Sequence, residues 1–245
     1  MLRAFRIDLH VHTCLSPCAD PEMCPRAVVD KSIAQKLDII AVCDHNASEN
    51  VQFVLKSAEG KPLTVLPGME VTSREEVHVL ALFDTLGDLM KIQDIVYDHL
   101  SGANREEVFG YQTIVNDLDE IEGFNKRFLL GATELSLHEI IHHIHSFGGL
   151  AIASHIDRES FSVISQLGFI DPHMPFDALE VTRRTGIRGA RLKYPELSRC
   201  SFVESSDAHF IRDIGQGATT MFLETGTISE LKMAFEHRDG RYIQE

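Results

Sequence analysis

The sequence predicts an α/β fold with parallel strands, because short apolar runs alternate along the chain with segments of helical periodicity. Near-continuous apolar runs of this length are typical of strands that are buried on both faces. The seven runs are FRIDLHVH (5–12), LDIIAVCDHN (37–46), LTVLPGMEVTS (63–73), VHVLALF (77–83), GLAIASHID (149–157), DALEVTR (177–183) and SFVESSDAH (201–209). Several of them end in polar residues, which favours a TIM-like (βα)7 barrel whose strand ends build the site.

Two of the intervening segments carry clear helix signals. PRAVVDKSIAQKL (25–37) begins with a proline, which suits the first turn of a helix, and ATELSLHEIIHHIHSFGG (132–149) ends on a glycine pair that suits a helix stop. An open, doubly wound sheet is the alternative architecture, but the chain has no glycine fingerprint for a dinucleotide. We therefore predict one barrel domain that covers residues 1–245.

Residues 84–130 interrupt the alternation of strands and helices. The stretches LGDLMKIQDIVYDHL and YQTIVNDLDEIEGF suggest two helices joined by SGANREEVFG. They predict a helical insertion between the fourth and fifth strands. Such an insertion could be a long crossover, or it could cover the mouth of the site and shape specificity.

Composition limits the classes of partner. A formal net charge of −14 argues against a broad basic surface that grips long nucleic acid, so we expect no duplex nucleic acid as a partner. No run of about 18 apolar residues occurs, so we expect no membrane span. The N-terminal MLRAFRIDLH is too quickly polar for a signal peptide. The five cysteines lack a CxxC pair and favour reduced thiols in a cytoplasm.

The first predicted strand ends in His10 and His12, which are separated by one residue. Because side chains alternate along a strand, the two imidazoles point to the same face, about 6.6 Å apart. Such a pair can close on one metal ion, or it can be an ordinary solvated pair at a strand end. The motif alone does not decide between these interpretations.

Five of the seven predicted strands end in histidine, aspartate or glutamate, and His78 opens another. If the strands are parallel, the five ends meet at one barrel mouth, where imidazole and carboxylate groups can bind Zn²⁺, Mn²⁺ or Fe²⁺. A carboxylate such as Glu70 can bridge two ions, which histidine cannot do. The polar residues at these positions are His10, His12, Asp44, His45, Glu70, His78, His155, Asp207 and His209.

The motifs HVHT, CDHN, GMEVTSREEVHVLALF, ASHIDR and SSDAH, in this order, resemble the polymerase and histidinol phosphatase (PHP) family over nearly the whole chain. The resemblance implies a distorted seven-stranded βα barrel with two or three divalent metal ions at its C-terminal mouth. It also implies metal ligands at His10, His12, His45, Glu70, His78, His155, Asp207 and His209.

The chain departs from the family pattern just after the HxH motif, where the family usually has a further histidine or aspartate. Here the sequence is CLSPCAD, and Pro17 or Cys18 falls at that position. Cys18 could bind a third metal ion as a thiolate, Asp20 could reach in from the loop, or the third site could be weak. We include Cys18 among the candidate metal ligands.

Clustered cations lower the pKa of bound water towards neutrality and neutralise charge on phosphoryl oxygens. The sequence therefore predicts a phosphoesterase that uses a metal-activated hydroxide on a small phosphorylated substrate, such as a nucleotide, a nucleoside bisphosphate or another phosphomonoester. Asp44 is expected to orient a metal ligand, and Arg158 and Arg183 are expected to hold the phosphate. Arg184 better fits a surface ion pair, and Glu180 is either an orienting carboxylate or an ordinary strand-end residue.

Three other interpretations compete with this one. HEIIH (138–142) matches the HExxH motif of zinc proteases, but a helical wheel puts both histidines about 100° or more from the apolar stripe, on the outside of a barrel. Cys14, Cys18 and Cys24 could form a structural zinc site, although they lack the paired CxxC spacing. A non-catalytic, metal-stabilised binding module is the third alternative; the near-complete ligand set argues against it, and the departure at Cys18 leaves room for it.

Overall fold

Eleven strands and eight α-helices form in the computed structural model, which describes residues 1–245. The strands are β1 (Arg3–Val11), β2 (Ile39–Val42), β3 (Thr64–Thr72), β4 (His78–Leu82), β5 (Thr113–Val115), β6 (Ile121–Phe124), β7 (Leu150–Ala153), β8 (Ala178–Val181), β9 (Phe202–Glu204), β10 (Thr219–Leu223) and β11 (Tyr242–Ile243). The helices are α1 (Pro25–Ala34), α2 (Val51–Ala58), α3 (Leu86–His99), α4 (Glu106–Phe109), α5 (Leu137–Ser146), α6 (Val163–Leu167), α7 (Gly186–Lys193) and α8 (Ile228–Phe235). None of these helices combines the length and the apolar character needed to cross a membrane.

Nine strands form one sheet in the order β11-β10-β1-β2-β3-β4-β7-β8-β9. Its parallel pairs are β1–β2, β2–β3, β7–β8 and β8–β9. Beyond β9 the chain returns to β1, where the Ser206 backbone amide donates to Asp8 Oδ1 at 2.9 Å and the His12 amide donates to the Ala208 carbonyl at 3.0 Å. The sheet is therefore a nearly closed barrel, which confirms the predicted α/β barrel fold, although the strand count is nine rather than seven.

The two additional strands are β10, which pairs antiparallel with β1, and β11, which pairs antiparallel with β10. All seven predicted strands are present. The sequence TTMFL of β10 alternates buried and half-buried side chains, unlike the fully buried parallel strands β2, β7 and β8. The near-continuous apolar runs that predict the other seven strands therefore do not predict β10.

One predicted strand has the opposite direction from the one expected. β4 is antiparallel to both β3 and β7. The reason is the short connection between β3 and β4, in which the Ser73 amide donates to the Val77 carbonyl at 2.9 Å and Glu76 adopts a φ of 59°. A parallel pair needs a crossover of a dozen or more residues, so this connection permits only a hairpin. As a result, His78 at the start of β4 lies at the same barrel mouth as the ends of the parallel strands.

The insertion at residues 84–130 is only partly helical. α3 forms where the first helix is predicted, but the second predicted helix is wrong, because β5 and β6 form a two-stranded hairpin there. The turn of that hairpin is set by Asn116, whose Oδ1 accepts from the amides of Leu118 and Glu120 at 2.9 and 3.0 Å. Asp119 in the same turn has a φ of 63°. This side-chain turn chemistry prevails over the helical spacing of the apolar residues.

Residues of β1 alternate between two buried layers. Ile7, Leu9 and Val11 belong to the apolar core, while Asp8 and His10 are directed to the opposite face and are themselves fully buried. The interior of the barrel is thus lined by polar groups near the C-terminal ends of the parallel strands. This is where loops and strand ends can build a site.

Candidate metal centre

The imidazoles of His10 and His12 meet inside the barrel mouth. Their Nε2 atoms lie 3.1 Å apart, and both side chains are completely buried. His12 Nε2 is also 3.1 Å from Asp207 Oδ1, and His10 Nε2 is 3.3 Å from Glu70 Oε1. Ring nitrogens and carboxylate oxygens that converge in this way form a set of donors suited to a cation.

Glu70 occupies the middle of this arrangement. Its Oε1 lies 3.1 Å from His78 Nδ1 and 3.3 Å from His155 Nε2, and its Oε2 lies 3.0 Å from His45 Nδ1. Burial alone would raise the pKa of the Glu70 carboxyl, but the neighbouring histidines, His78 and His10 foremost, hold that pKa well below its usual range. The Glu70 carboxylate is therefore an anion that is surrounded by the imidazole rings of several histidines.

The backbone directs two of these side chains through unusual conformations. His155 follows β7 with a φ of 28°, and Asp207 follows β9 with a φ of 48°. Such left-handed conformations are costly for residues other than glycine and persist where the surrounding structure enforces them. For His155, the backbone amide is held by Glu180 Oε2 at 2.9 Å. The left-handed conformation of both residues is typical of a functional site.

Two hydrogen-bond arrangements fix the orientation of His10 and His12. His10 Nδ1 lies 3.0 and 3.2 Å from the two oxygens of Glu180, so it donates to that carboxylate and leaves Nε2 free. The single hydroxyl proton of Ser16 goes to Asp44 Oδ1 at 2.7 Å, so Ser16 Oγ accepts from His12 Nδ1 at 2.9 Å. As a result, both rings direct Nε2 towards the interior of the barrel mouth, where the Glu70 carboxylate lies. Sequence reasoning missed Ser16, because a serine in a loop carries no spacing signal.

Asp44 is not in the group of converging donors itself. Besides Ser16, it accepts from the amide and the hydroxyl of Thr13 at 2.7 and 2.6 Å. It therefore lies behind Ser16, which in turn contacts His12.

We use the term metal centre for the eight candidate ligands His10, His12, His45, Glu70, His78, His155, Asp207 and His209. Three subsets of them have potential ligand atoms within 4.8 Å of one another: His12 with His45 and His209, His10 with His12 and Glu70, and His45 with Glu70 and His78. Both oxygens of Glu70 and Nδ1 of His78 are buried without a hydrogen bond of good geometry. Buried polar atoms are rarely left in this way, and ligation by divalent cations would satisfy them. The residues therefore fit more than one divalent metal ion.

The loop between β1 and α1 brings Cys18 to this centre and turns Asp20 away from it. Cys18 is exposed and lies with His45 and His209 on the lining of a cavity over the centre. Partial burial raises the pKa of the thiol, but the two neighbouring histidines outweigh this effect and lower the pKa to about 6. Asp20 instead accepts from the Glu22 amide at 2.8 Å through Oδ1.

A cavity of about 360 Å³ adjoins the metal centre and is lined by three arginines, Arg158, Arg183 and Arg184. Arg158 Nη2 lies 2.5 Å from Asp207 Oδ2, and Arg183 hydrogen-bonds to Gln216. The expected surface ion pair of Arg184 is wrong, because Arg184 has no acidic partner and lines this cavity instead. A second cavity, of about 350 Å³, lies over the centre and shares Arg158, His155 and Asp207 with the first.

The protease and cysteine alternatives have no support in the geometry. His138 and His142 are exposed on α5, and Glu139 accepts from the Ser136 amide at 2.8 Å as part of a helix cap. All five cysteines are free. Cys18 lines the cavity over the metal centre, whereas the Cys14 thiol lies 3.7 Å from the Thr113 carbonyl and the Cys24 thiol lies 3.3 Å from the Pro21 carbonyl. Neither motif forms a second metal site.

A family model described as the PHP domain matches residues 8–173. The chain belongs to this family. PHP domains are metal-dependent hydrolases of the phosphoesterase type, and this chain has the converging histidine and glutamate side chains that such a domain uses to bind metal. Among curated proteins, none matches the chain.

Solved structures give the same fold. Endonuclease Q from Pyrococcus furiosus is 16% identical to this chain, with a TM-score of 0.78. A second structure shows endonuclease Q in complex with a 27-mer duplex substrate that has an abasic lesion at the active site. It is 17% identical to this chain, with a TM-score of 0.73. The alignments cover 98% of this chain and 58% of each endonuclease Q chain, so the protein spans little more than half of their length. A protein designated a metal-dependent phosphoesterase, from Bifidobacterium adolescentis, is 18% identical with a TM-score of 0.57, and the alignment covers 83% of this chain and 87% of that one.

The expectation that duplex nucleic acid is excluded as a partner is wrong. Endonuclease Q, which has this fold over nearly the whole length of the chain, holds a duplex substrate at its active site. The net charge of −14 is a sum over the whole molecule and does not describe the barrel mouth, where three arginines line one cavity.

Proposed function

We propose that the protein is a metal-dependent phosphoesterase that cleaves a phosphodiester of a nucleic-acid strand. The observation that carries the proposal is the buried carboxylate of Glu70, which lies among imidazoles without a hydrogen bond of good geometry and next to a cavity lined by arginines. The endonuclease Q complex supports a nucleic-acid strand as the substrate class.

The eight residues of the metal centre would hold two or three divalent ions such as Zn²⁺, Mn²⁺ or Fe²⁺. When bound, such ions activate water and stabilise negative charge on the phosphoryl oxygens. The protein's own part is to fix the ligands: Glu180 holds the Nδ1 proton of His10, and Asp44 acts through Ser16 on His12. The Glu70 carboxylate would supply negative charge that lowers the repulsion between neighbouring cations.

Arg158, Arg183 and Arg184 would hold the phosphate beside the centre. A guanidinium matches the geometry of two phosphate oxygens and stays charged at any physiological pH. Arg158 also contacts Asp207, a metal-centre residue, at 2.5 Å, so it couples the position of the phosphate to that of the metal ligands. Arg183 and Arg184 line only the first cavity, whereas Arg158 lines both, so Arg183 and Arg184 suit the next part of the strand.

An apolar wall on the other side of the mouth suits a nucleoside. Phe161 and Leu130 line the cavity over the metal centre, and Phe161 is 40% exposed. The Phe161 ring stacks on His78 with a centroid distance of 4.7 Å, and its backbone has a φ of 57°, which is strained for an aromatic residue. A flat, exposed aromatic ring of this kind is a stacking surface for a base.

A small phosphomonoester is the second candidate substrate. The net charge of −14 favours it, since most of the surface would repel a long polyanion. The five free cysteines support a reducing compartment such as the cytoplasm as the location for either substrate.

The test compares three substrates: p-nitrophenyl phosphate, bis(p-nitrophenyl) phosphate and a duplex with one abasic site. We expect the metal-loaded protein to hydrolyse the diester and cut the duplex, and to lose both activities after chelation and in Glu70→Gln. His142→Gln, a histidine exposed on α5, is the matched control and should behave as the wild type. Turnover of the monoester alone would favour the small substrate. Bound metal without turnover of any substrate would favour a binding module, and activity in Glu70→Gln would overturn the proposal.

A further inference from the structure

The turn between β8 and α7 carries two of the three arginines that line the first cavity. Arg183 and Arg184 lie in this turn, and both side chains are exposed. The turn is tight, because the amides of Thr185 and Gly186 both donate to the Thr182 carbonyl, at 3.0 and 2.9 Å. Long side chains position a phosphate well only where the backbone that carries them is itself fixed.

One carboxylate holds this turn at both of its ends. Asp157 Oδ1 accepts from the Thr182 amide at 2.9 Å, and Asp157 Oδ2 accepts from the hydroxyls of Thr182 and Thr185 at 2.6 and 2.5 Å. Asp157 is only 8% exposed. Hydrogen bonds to an ionised carboxylate are stronger than neutral ones, so the two arginines between these threonines are anchored with the turn.

Asp157 also belongs to the loop that brings the third arginine to the cavity. It lies between His155, a residue of the metal centre, and Arg158, whose amide donates to the His155 carbonyl at 3.0 Å. Arg158 in turn contacts Asp207 at 2.5 Å. Asp157 therefore joins the loop after β7, which contributes to the metal centre, to the turn after β8, which carries the other two arginines.

The negative charge of Asp157 supports the same arrangement. Three guanidinium groups that line one cavity repel one another, and Asp157 lines this cavity with them, so its carboxylate lowers the repulsion. Both of its oxygens accept hydrogen bonds from the threonines. The carboxylate is thus directed to the turn and leaves the arginines to a phosphate.

We infer that Asp157 is a positioning residue, which acts through Arg183 and Arg184 and makes the first cavity a site for the phosphate next to the one that is cleaved. The inference rests on the proposed function, because it needs a strand that continues beyond the cleaved diester. Asp157 does not contact the substrate; it sets the distance between the metal centre and the two arginines.

The test measures cleavage of the duplex with one abasic site by Asp157→Ala in two backgrounds, the wild type and a variant that carries Arg183→Ala and Arg184→Ala. In the wild-type background we expect KM to rise about tenfold and kcat to change by less than about twofold, because hydrogen bonds to phosphate weaken while the metal ligands stay in place. In the variant without the two arginines, Asp157→Ala should raise KM by less than about twofold, since residues that act as a unit are not additive.

Asp157→Asn keeps the size of the side chain and one acceptor oxygen, so it covers a failure of Asp157→Ala to fold. Its KM should also rise in the wild-type background alone. The matched control is Asp177→Asn, which should behave as the wild type, because Asp177 accepts from the Ala151 amide at 2.9 Å at the opposite end of the same two strands. An unchanged KM, an equal rise of KM in both backgrounds, or a loss confined to kcat would overturn the inference and leave the proposed function intact. A metal-loaded wild type that does not cut the duplex would overturn both.

Discussion

Glu180 and His10 form a buried hydrogen-bonded pair, in which the two carboxylate oxygens lie 3.0 and 3.2 Å from the imidazole Nδ1. The same carboxylate accepts from the backbone amide of His155 at 2.9 Å. Burial alone would lower the pKa of His10, but Glu180, followed by Asp207 and Glu70, raises it well above its usual value. Glu180 of β8 therefore fixes both the ring orientation of His10 in β1 and the backbone position of His155 after β7.

We predict that Glu180→Gln weakens metal binding while the protein stays folded. Glutamine can still accept from the His155 amide, but it removes the negative charge that holds the Nδ1 proton of His10. Loss of such an orienting partner typically reduces metal affinity by about 10- to 100-fold. Competition with a coloured chelator measures the dissociation constant, and Glu204→Gln, a carboxyl at the end of β9 outside the metal centre, is the control. Unchanged affinity in Glu180→Gln would show that the pair does not tune the centre.

Arg184 lines the cavity beside the metal centre and has no acidic partner, so its charge is available to a ligand. We predict that Arg184→Ala lowers kcat/KM on the duplex by roughly tenfold or more, mainly through KM, because a charged hydrogen bond to phosphate contributes about 1.5–3 kcal/mol. The dependence of binding on salt should also become shallower. Arg188→Ala is the control, since Arg188 bonds instead to the backbone of Glu245. Equal kinetics in the two variants would exclude Arg184 from substrate binding.

The sequence predicts the fold well where the local apolar pattern matches the buried strands of the barrel. It predicts the fold less well where a connecting segment determines the direction or the type of an element. The seven apolar runs all form strands, because burial on both faces requires apolar residues throughout. The direction of β4 depends on the short connection around Glu76, which the strand pattern by itself does not reveal. The β5–β6 hairpin depends on hydrogen bonds of the Asn116 side chain, which override a helical spacing of apolar residues.

The candidate site divides in the same way. Imidazole and carboxylate side chains such as those of His10 and Glu70 lie at strand ends, and the pairing of the strands brings them together. Ser16 and Phe161 act through contacts that only the folded loops create, and neither residue type stands out in a sequence. The partner was predicted wrongly for a related reason, since a net charge contains no information on where the arginines lie.

Phe161 presents an exposed ring to the cavity over the metal centre. We predict that Phe161→Leu lowers kcat/KM about 5- to 100-fold on a strand with an intact base at the cleaved position, because base stacking on an aromatic contributes about 1–3 kcal/mol. On an abasic position the loss should be much smaller. Phe169→Leu is the control, since Phe169 is 67% exposed and lies outside both cavities. Equal losses on the two strands would mean that Phe161 supports the fold of the mouth and not a base.

The ion pair between Glu230 and Arg241 joins α8 to the segment before β11, with contacts of 2.8 and 3.1 Å. The Arg241 guanidinium lowers the pKa of Glu230 below its ordinary value of 4.5. Because the pKa is lower in the folded state, the stabilisation is complete above about pH 4.5 and disappears as the pH falls through the folded value.

We predict that Glu230→Gln lowers the free energy of unfolding by about 1 kcal/mol at neutral pH and by much less in acid. Urea unfolding at several pH values measures this, with Glu236→Gln, whose carboxyl pairs with Arg238 on the surface, as the control. A difference between wild type and Glu230→Gln that stays constant with pH would mean that packing, and not the charge, accounts for the effect.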